Sequence, residues 1–387
     1  MPHQRHLIAS AWISSAHQGQ VRVAIVLLPG RCAVCSGLDT RERARRFTIS
    51  CGAGVGGGVR YGARVISPRL ASTFSIVARD AETAELGVAV QSRRFNCGAT
   101  VPWAAAGAGA IATQAFGEPG YGPRALALLR EGRGAAEALD ALLALDPGRT
   151  LRQVAIVDDR GGVAAHTGAL CIPHACHRTG AGYSVQGNLL AGAGVCDAMA
   201  AAFERAPGSL ARRMLAALTA AERAGGDARG REAAALLVER PVSRDEPWRN
   251  RVVDLRVEQH RKPIHELGRL LRLHEAFALL ADAMRSLGEG RPDDARRLAD
   301  EAVRRGQRHD EIGFWAGALH ARMGDVERAV ATLRIAIRRN PRWRSVLVRL
   351  PPQLAIPEAV LARALKRFDP RPRADRAPRR TTREPVS

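Results

Sequence analysis

Histidine and cysteine side chains crowd into one short segment of the chain. Thiolate and imidazole are ligands that zinc prefers in proteins, so a metal site is one interpretation. The spacing matches no standard zinc finger, and no second pair of ligands follows. We favour the other interpretation, buried cysteines beside ordinary surface histidines, and expect neither a metal nor another cofactor. The segment contains His166, Cys171, His174, Cys176 and His177.

The remaining cysteines offer weaker chemistry. Cys32 and Cys35 make a lone CxxC pair. Cys97 is an alternative nucleophile, but no base is identifiable beside it, so a small buried thiol is the favoured role. The seven cysteines are an odd number in a long chain. A disulfide scaffold is therefore not expected, and the cytoplasm, a reducing compartment, is the expected location.

Composition narrows the class of protein. With 387 residues the chain is long enough for two or three domains, and 46% hydrophobic with 25% charged residues is a globular composition. No apolar run approaches the roughly 18 residues of a membrane span, so no membrane partner is expected.

The net charge of +21 is unevenly distributed. Residues 1–72 hold ten Arg and two acidic residues, residues 73–255 hold 20 Arg and 19 acidic residues, and residues 256–387 hold 29 basic and 17 acidic residues. The middle of the chain is thus nearly neutral. Because no recognition motif accompanies the basic flanks, nucleic acid is not expected as a partner.

Residues 1–72 do not read as a folded domain, because their apolar periodicity is weak. We interpret them as disordered or as a mis-annotated extension. Met1–Ser10 resembles the start of a targeting peptide, although polar residues interrupt the apolar stretch that follows. Another explanation is a later start of translation, for which Val65 and Leu70 are candidates.

From Thr73 onward, strands and helices alternate in blocks. Alternating apolar residues predict strands over 73–79, 86–91, 98–103, 108–113, 151–157, 163–167, 183–186, 233–238 and 251–257. Helical periodicity predicts helices over 121–130, 135–145, 195–204 and 209–224. This order favours a layered α+β sandwich. No GxGxxG follows a strand and opens a helix, so dinucleotide binding has no support.

The chain becomes continuously helical at Pro263, and a repeat appears. Gly290 and Gly324 lie 34 positions apart, and alanines follow each glycine by five and by twelve residues. This resembles the tetratricopeptide repeat, in which small residues let paired helices approach closely. The alternative is an alanine-rich bundle with coincidental spacing. The helical domain is predicted over 258–368, with capping helices in 256–286 and 355–368, and the basic tail 369–387 is expected to be disordered.

The segment from 73 to about 275 resembles the DUF1028 family, which is assigned to the N-terminal nucleophile (Ntn) hydrolase fold. The resemblance implies a four-layer αββα sandwich over 73–257. Members often carry a further C-terminal domain described as peptidoglycan-binding, where this chain has the repeat-like helices. The resemblance rests on the motifs TFSIVARD at 73–80, LGVAV at 86–90, VPW at 101–103, ATQ at 112–114, YGPR at 121–124, HTG at 166–168, VQGN at 185–188, GDARGR at 226–231 and DLRV at 254–257.

The resemblance makes Thr73 the candidate nucleophile. In Ntn hydrolases the first residue of the mature chain supplies the attacking hydroxyl, and its own α-amino group accepts the proton. Such an amine titrates near 7.7–8.0, close to working pH. Because 72 residues precede Thr73 here, activity requires cleavage of the Ser72–Thr73 bond or a later start. The alternative is that Thr73 is simply a β-branched strand residue.

Further site residues are inferred around Thr73. Asn188 is the candidate oxyanion donor, together with Gln186 and Gly187 on a predicted loop after a strand. Asp227 is assigned a catalytic role in orienting the amine, with Arg229 and Arg231 binding a substrate carboxylate; the alternative is a solvated, salt-bridged loop. Ser92, Arg93 and Gln114, at predicted strand ends, are weaker substrate-binding candidates.

Two functions from different classes follow. The favoured one is an amidohydrolase that acts on a small-molecule or peptide amide through an acyl-enzyme on Thr73. The rival is a catalytically silent sandwich whose helical repeats bind a protein or cell-wall glycan. A homo-oligomer is compatible with either.

Overall fold

The computed structural model describes residues 46–49, 59–62, 70–71, 73–242, 247–306 and 309–366. The chain divides into two compact units, Met1–Pro68 and Arg69–Ser387. In the first unit, strands β1 (Arg46–Ile49) and β2 (Val59–Gly62) pair antiparallel. Within residues 1–72 the short strand β3 (Leu70–Ala71) is also described. The predictions for the other residues of this segment and for the tail 369–387 lie outside the described residues.

The second unit contains a six-stranded antiparallel sheet in the order β10-β11-β4-β5-β12-β13. The strand that begins at Thr73 lies at its centre, and β-branched and alanine residues fill most of its buried positions. The strands are β4 (Thr73–Arg79), β5 (Leu86–Ser92), β10 (Cys176–Gly180), β11 (Tyr183–Asn188), β12 (Ala233–Glu239) and β13 (Arg251–Val257).

A second, five-stranded sheet runs in the order β3-β7-β8-β9, with β6 also paired to β7. All of its pairings are antiparallel. Besides β3 it contains β6 (Pro102–Ala105), β7 (Gly109–Phe116), β8 (Arg152–Asp158) and β9 (Val163–Thr167).

The two sheets stack face to face, and helices cover both outer faces. Alternate residues of each strand point to opposite faces. Val88 and Ala155 pack between the sheets, whereas Ile76 packs under the helices of the six-stranded sheet and Ile156 under those of the five-stranded sheet. The predicted four-layer αββα sandwich is therefore confirmed. The helices are α1 (Tyr121–Arg130) and α2 (Ala135–Ala144) on the five-stranded sheet, and α3 (Val195–Arg205) and α4 (Leu210–Arg223) on the six-stranded sheet.

Three local predictions need correction. The strand expected over 98–103 begins as a 3₁₀ turn at Cys97–Ala99, and only Pro102–Ala105 is extended. Strand β10 was not predicted, because its sequence CHRTG is polar and half-exposed. The segment Gln186–Asn188, expected on a loop, completes strand β11.

The C-terminal region is entirely helical among its described residues. The 34-residue spacing has a structural basis, because Gly290 and Gly324 adopt φ of 75° and 78° at equivalent turns between antiparallel helices. The alanines that follow them are fully buried where neighbouring helices meet. The helices are α5 (Pro263–Gly288), α6 (Pro292–Gly306), α7 (Asp310–Arg322), α8 (Val326–Arg339), α9 (Trp343–Leu347) and α10 (Glu358–Leu365).

Helix α5 joins the sandwich to the helical region. Ile264, Leu267 and Leu271 of its first half pack into the core under the six-stranded sheet. Leu280 and Ala283 of its second half pack against α6 and α7. The segment 256–286, predicted as a repeat cap, thus begins as the end of β13 and continues as a helix shared by both parts. No helix in the described part of the chain is long and apolar enough to span a membrane.

Candidate functional site

Thr73 is the first residue of β4, at one end of the six-stranded sheet. Its register partners are Ser92, the last residue of β5, and Asn188, the last residue of β11. All three side chains are buried and face the five-stranded sheet. The Thr73 hydroxyl donates to Oγ of Ser92 at 3.2 Å, and the backbone N–H of Arg94 donates to the same Oγ at 3.0 Å. The structure therefore brings Thr73, Ser92 and Asn188 together.

Polar side chains continue from Thr73 along the inner face of the six-stranded sheet. Gln186 donates from Nε2 to Oγ of Ser75 at 2.6 Å and accepts from the Ser184 hydroxyl at 2.8 Å. The Ser75 hydroxyl in turn donates to Oε1 of Gln114 at 2.7 Å, across the gap between the sheets. Gln186 is fully buried by these partners, so it holds the strands together rather than facing solvent.

Gln114 and Gln153 bring the five-stranded sheet into this polar layer. Nε2 of Gln114 lies 3.3 Å from the carbonyl oxygen of Thr73 and donates to Oε1 of Gln153 at 2.8 Å. The same Oε1 accepts from Nδ2 of Asn188 at 2.9 Å. Nε2 of Gln153 faces the carbonyl oxygen of Gly187 at 2.9 Å and Oγ1 of Thr167 at 3.0 Å. Gln153 therefore fixes the amide orientation of both Gln114 and Asn188.

Gly187 has a packing role that the sequence did not predict. A Cβ at this position would lie 2.8 Å from Cδ1 of Leu190. The missing side chain therefore lets Leu190 pack against β11. Gly187 lies inside a paired strand between β10 and β4.

Asp227 contacts the loops that follow two of these strand ends, Ser92 and Asn188. Its carboxylate accepts from the backbone N–H of Arg93 at 3.0 Å and of Arg229 at 2.9 Å, and it pairs with the Arg229 guanidinium at 3.1 Å. Its backbone forms a bridge with Leu190, just after β11. The side chain is fully buried, unlike a solvated loop residue. Asp227 thus positions the loops after Ser92 and Asn188.

Arg231 lies away from this cluster. Its guanidinium pairs with Glu222 of α4, and the Arg93 guanidinium pairs with Glu232. Both arginine side chains are about half exposed. For Arg231 the structure fits the surface ion pair that was the alternative interpretation.

Three residues with left-handed backbone follow the site residues. Ala115 follows Gln114 with φ of 67°, Leu189 follows Asn188 with φ of 49°, and Asn96 lies in the loop after Ser92 with φ of 55°. Non-glycine residues in this conformation cost about 1 kcal/mol or more each and concentrate at functional sites. The chain is therefore strained where three strands end around Thr73.

The histidine and cysteine segment does not form a metal site in the described residues. His166 bonds the carbonyl oxygen of Arg149, and His177 bonds Oγ1 of Thr167. Cys171 is a buried thiol, as expected. Cys176 is instead joined to Cys196 by a disulfide between β10 and α3, so the expectation of reduced cysteines is wrong for this pair.

Cys97 does not have the properties of a nucleophile. Burial, aided by the nearby negative charge of Glu258, raises the pKa of its thiol to about 12. The thiol is therefore protonated at neutral pH and inert, which agrees with a buried structural role. The CxxC pair at 32 and 35 lies outside the described residues.

Two surface clefts in the described part of the chain lie away from the site. One of about 290 Å³ is lined by residues of α6 and by Arg328 of α8, and another of about 120 Å³ lies between α1 and the end of α2. Neither is lined by Thr73, Ser92 or Asn188. Thr73 itself is fully buried in the full chain.

Sequence reasoning missed Ser184 and Gln153. Each is fully buried and belongs to the layer that supports the site. The available signal was a polar residue at every second position of an otherwise apolar strand, as in Thr73–Ser75 and Ser184–Gln186–Asn188. For Gln153 the signal was one polar residue before an apolar run in β8.

Comparison with known proteins found one matching family and a similar solved structure. The model of DUF1028, a family of unknown function, matches residues 73–267, which is half of the chain. The crystal structure of protein SPO2555 from Silicibacter pomeroyi, assigned to the same family model, is similar with 35% sequence identity, 52% of this chain and 85% of that chain covered, and a TM-score of 0.48. No curated protein matches the chain. The chain belongs to the DUF1028 family.

Proposed function

We propose that this protein is an amidohydrolase of the N-terminal nucleophile type, with Thr73 as its nucleophile after cleavage of the Ser72–Thr73 bond. One observation carries the proposal. Thr73 begins the central strand of the sandwich, and its hydroxyl is held by Ser92 while Asn188 lies directly opposite. A hydroxyl and an amide donor are thereby placed at one strand end, beside the atom that cleavage would turn into a free amine.

The reaction uses the α-amine of Thr73 as base. The Thr73 hydroxyl attacks the substrate carbonyl carbon, and its proton passes to the neutral α-amine. The amine then gives that proton to the leaving nitrogen as the C–N bond breaks, which leaves an ester on Oγ1. Water, deprotonated by the same amine, hydrolyses the ester and releases the acid.

The neighbouring side chains would have distinct roles in this scheme. Asn188 would stabilise the negative charge on the attacked oxygen, since its amide is oriented by Gln153. Ser92 would orient the hydroxyl of Thr73. Asp227 would act as a positioning residue, because its buried carboxylate holds the loops after Ser92 and Asn188.

The N-terminus of the purified protein is the first test. Mass spectrometry of the intact protein should show a chain that begins at Thr73. If the full chain is not cleaved, a chain expressed as Met-Thr73 should lose its Met and hydrolyse chromogenic peptide amides. In that chain Thr73→Ala should abolish hydrolysis and leave the melting temperature nearly unchanged, whereas Thr73→Ser should keep part of the activity. Equal activity of Thr73→Ala and the parent chain would refute the proposal.

The α-amine is tested by adding one glycine before Thr73. This chain keeps every side chain but places the amine elsewhere, so we expect it to be inactive. The rate for the Thr73 chain should rise with pH through about 7.7–8.0, since only the neutral amine accepts a proton. Full activity of the untrimmed Gly-extended chain would assign the base to another group.

The second candidate is the catalytically silent binding module. It is favoured by the complete burial of Thr73 in the full chain. A stable, uncleaved N-terminus together with an inactive Thr73 chain would support it.

A further inference from the structure

Strand β7 has two edges with different occupants. Along one edge it pairs with β8 from Gly109 to Ala115. On the other edge, β6 pairs with Gly109–Ala112 only. β3 pairs with the end of β7, where Ala71 is the partner of Ala115 and Leu70 the partner of Phe116. The last two residues of β7 therefore bind a two-residue strand that immediately precedes the candidate cleavage point.

This edge lies beside the candidate nucleophile. Gln114, the residue before Ala115, places Nε2 3.3 Å from the carbonyl oxygen of Thr73. A single residue, Ser72, separates Ala71 on the five-stranded sheet from Thr73 on the six-stranded sheet. Strand β3, which ends one residue before Thr73 in the sequence, thus pairs with β7 next to Gln114.

A contact from β8, on the opposite side of β7, also fixes the end of β7. The guanidinium of Arg152 in β8 donates to the carbonyl oxygen of Phe116, and Asp146 accepts from the same guanidinium at 2.7 Å. Ala115 keeps its left-handed backbone between these contacts. None of these interactions comes from residues before Thr73, so they remain when the preceding segment is removed.

We infer that the substrate of the Thr73 site is an extended peptide chain, whose residues before the scissile carbonyl add as a strand to Ala115–Phe116 in place of β3. The inference rests on the proposed function and names its substrate class. In the uncleaved chain, the Ser72 carbonyl is bonded to the Thr73 nitrogen. In the acyl-enzyme, the substrate carbonyl is bonded to Thr73 Oγ1, so the acyl side of the substrate approaches from the side that β3 occupies.

Backbone pairing of this kind has a known physical basis. An unpaired sheet edge offers N–H and C=O groups that an added strand satisfies, and the main chain then supplies affinity that depends little on side chains. Removal of β3 would leave such an edge next to the nucleophile. A small amide without a peptide chain could not use it.

The experiment separates binding from catalysis. All described apolar clusters are built from residues between Phe74 and Leu365 within one compact unit, so the chain that begins at Thr73 keeps its described core. The ligand is a peptide with the sequence of residues 66–72, ISPRLAS, as a free acid. The protein is the Thr73→Ala form of that chain, which binds without turnover.

Binding is measured by titration calorimetry, and protection of the Ala115–Phe116 amides by hydrogen exchange. We expect the peptide to bind and to slow exchange in this segment. The same peptide N-methylated at its Leu and Ala should bind at least about tenfold more weakly, because it cannot form the backbone hydrogen bonds. Absence of binding, or equal binding of the N-methylated peptide, would overturn the inference.

Catalysis is measured in a separate assay. The enzyme is the chain that begins at Thr73, and the substrate is the aminocoumarin amide of the same peptide. Hydrolysis of this amide, with a KM raised by N-methylation, supports both proposals. Binding with protection but without hydrolysis supports the strand site and counts against the proposed function. Hydrolysis of small amides that the free-acid peptide does not inhibit supports the function and overturns the strand site.

Discussion

The side chain of Asn188 donates a hydrogen bond to Oε1 of Gln153 at 2.9 Å, from one sheet of the sandwich to the other. Gln114 donates to the same oxygen at 2.8 Å. The candidate oxyanion donor is thus held by a residue that is itself fully buried between the sheets. The polar layer has a structural function as well as the proposed chemical one, since each buried amide needs the others as partners.

Replacement of Gln153 should therefore destabilise the protein. Gln153→Leu leaves the amide groups of Gln114 and Asn188 and the carbonyl of Gly187 without this partner, so we expect the free energy of unfolding to fall by about 3 kcal/mol. The measurement is urea denaturation followed by circular dichroism. The control is Gln259→Leu, the same change at an exposed residue that bonds Glu232, for which we expect about 0.5 kcal/mol or less. Similar losses for the two variants would contradict a supporting role of Gln153.

Asp146 allows a prediction about pH. Burial would raise the pKa of this carboxyl, but hydrogen bonds from Arg152, Gly148 and Tyr121 outweigh it and hold the pKa below its ordinary value of 3.8. A carboxyl with a lowered folded-state pKa stabilises the fold above its ordinary pKa, and this contribution is lost as the pH falls through the folded-state value. Asp146→Asn should therefore lower the free energy of unfolding by about 2 kcal/mol at pH 7.

The difference between wild type and Asp146→Asn should shrink as the pH falls below 3.8. Chemical denaturation at several pH values measures it. Asp282→Asn is the matched control, because Asp282 pairs with Arg285 on an exposed helix surface with 47% of its side chain accessible, and such pairs contribute little. A constant difference between pH 3 and pH 7 would show that the charge of Asp146 has no part in stability.

Most strands and helices were predictable because their apolar residues follow a clear period. In β4 and β5, small and β-branched residues recur along the strand. The 34-residue spacing of Gly290 and Gly324 marks two equivalent turns between helices. β10 was missed because its pairing depends on β11 rather than on its own sequence. The Cys176–Cys196 disulfide was missed for a similar reason, since it joins a strand and a helix that meet only in the folded chain.

The candidate site was predictable only in part. The family resemblance pointed to Thr73, and Asn188 was inferred beside it as an oxyanion donor. Ser92 was only a weaker candidate at a predicted strand end. The structure places the three residues side by side. The role of Gln153 could not be inferred, because its partners Asn188 and Gly187 lie on the opposite sheet and no local pattern specifies how two sheets stack. Arg231 was grouped with Asp227 by its position in one turn, but its side chain turns toward Glu222.

The shared helix α5 leads to a prediction about domain limits. A chain of residues 73–257 would lack Ile264, Leu267 and Leu271, each at most 3% exposed in the sandwich core. Their burial contributes about 5 kcal/mol or more together, which is a large part of the stability of a typical domain. We expect residues 73–274 to unfold cooperatively in a thermal melt and residues 73–257 to be insoluble or much less stable.

Point variants in the full chain test the same contact without truncation. Leu267→Ala should cost about 2–5 kcal/mol, whereas Leu145→Ala, at a residue 85% exposed, should change stability by about 0.5 kcal/mol or less. If the 73–257 chain melted at the same temperature as the 73–274 chain, α5 would not belong to the sandwich core.

Two glycines of α7 provide a matched test of helix packing in the repeat-like region. A Cβ on Gly317 would lie 2.8 Å from Cγ of Leu333 in α8, whereas a Cβ on Gly313 would lie 3.6 Å from Cβ of Ala336, an ordinary contact. Alanine is favoured over glycine in a helix by about 1 kcal/mol. Gly313→Ala should therefore be neutral or stabilising by up to about 1 kcal/mol. Gly317→Ala should instead destabilise by about 1–3 kcal/mol, because α7 and α8 must move apart.

Thermal unfolding of the full chain, compared at equal protein concentration, measures both changes. If Gly317→Ala were as stable as Gly313→Ala, the close approach of α7 and α8 at Leu333 would not be a requirement of the fold.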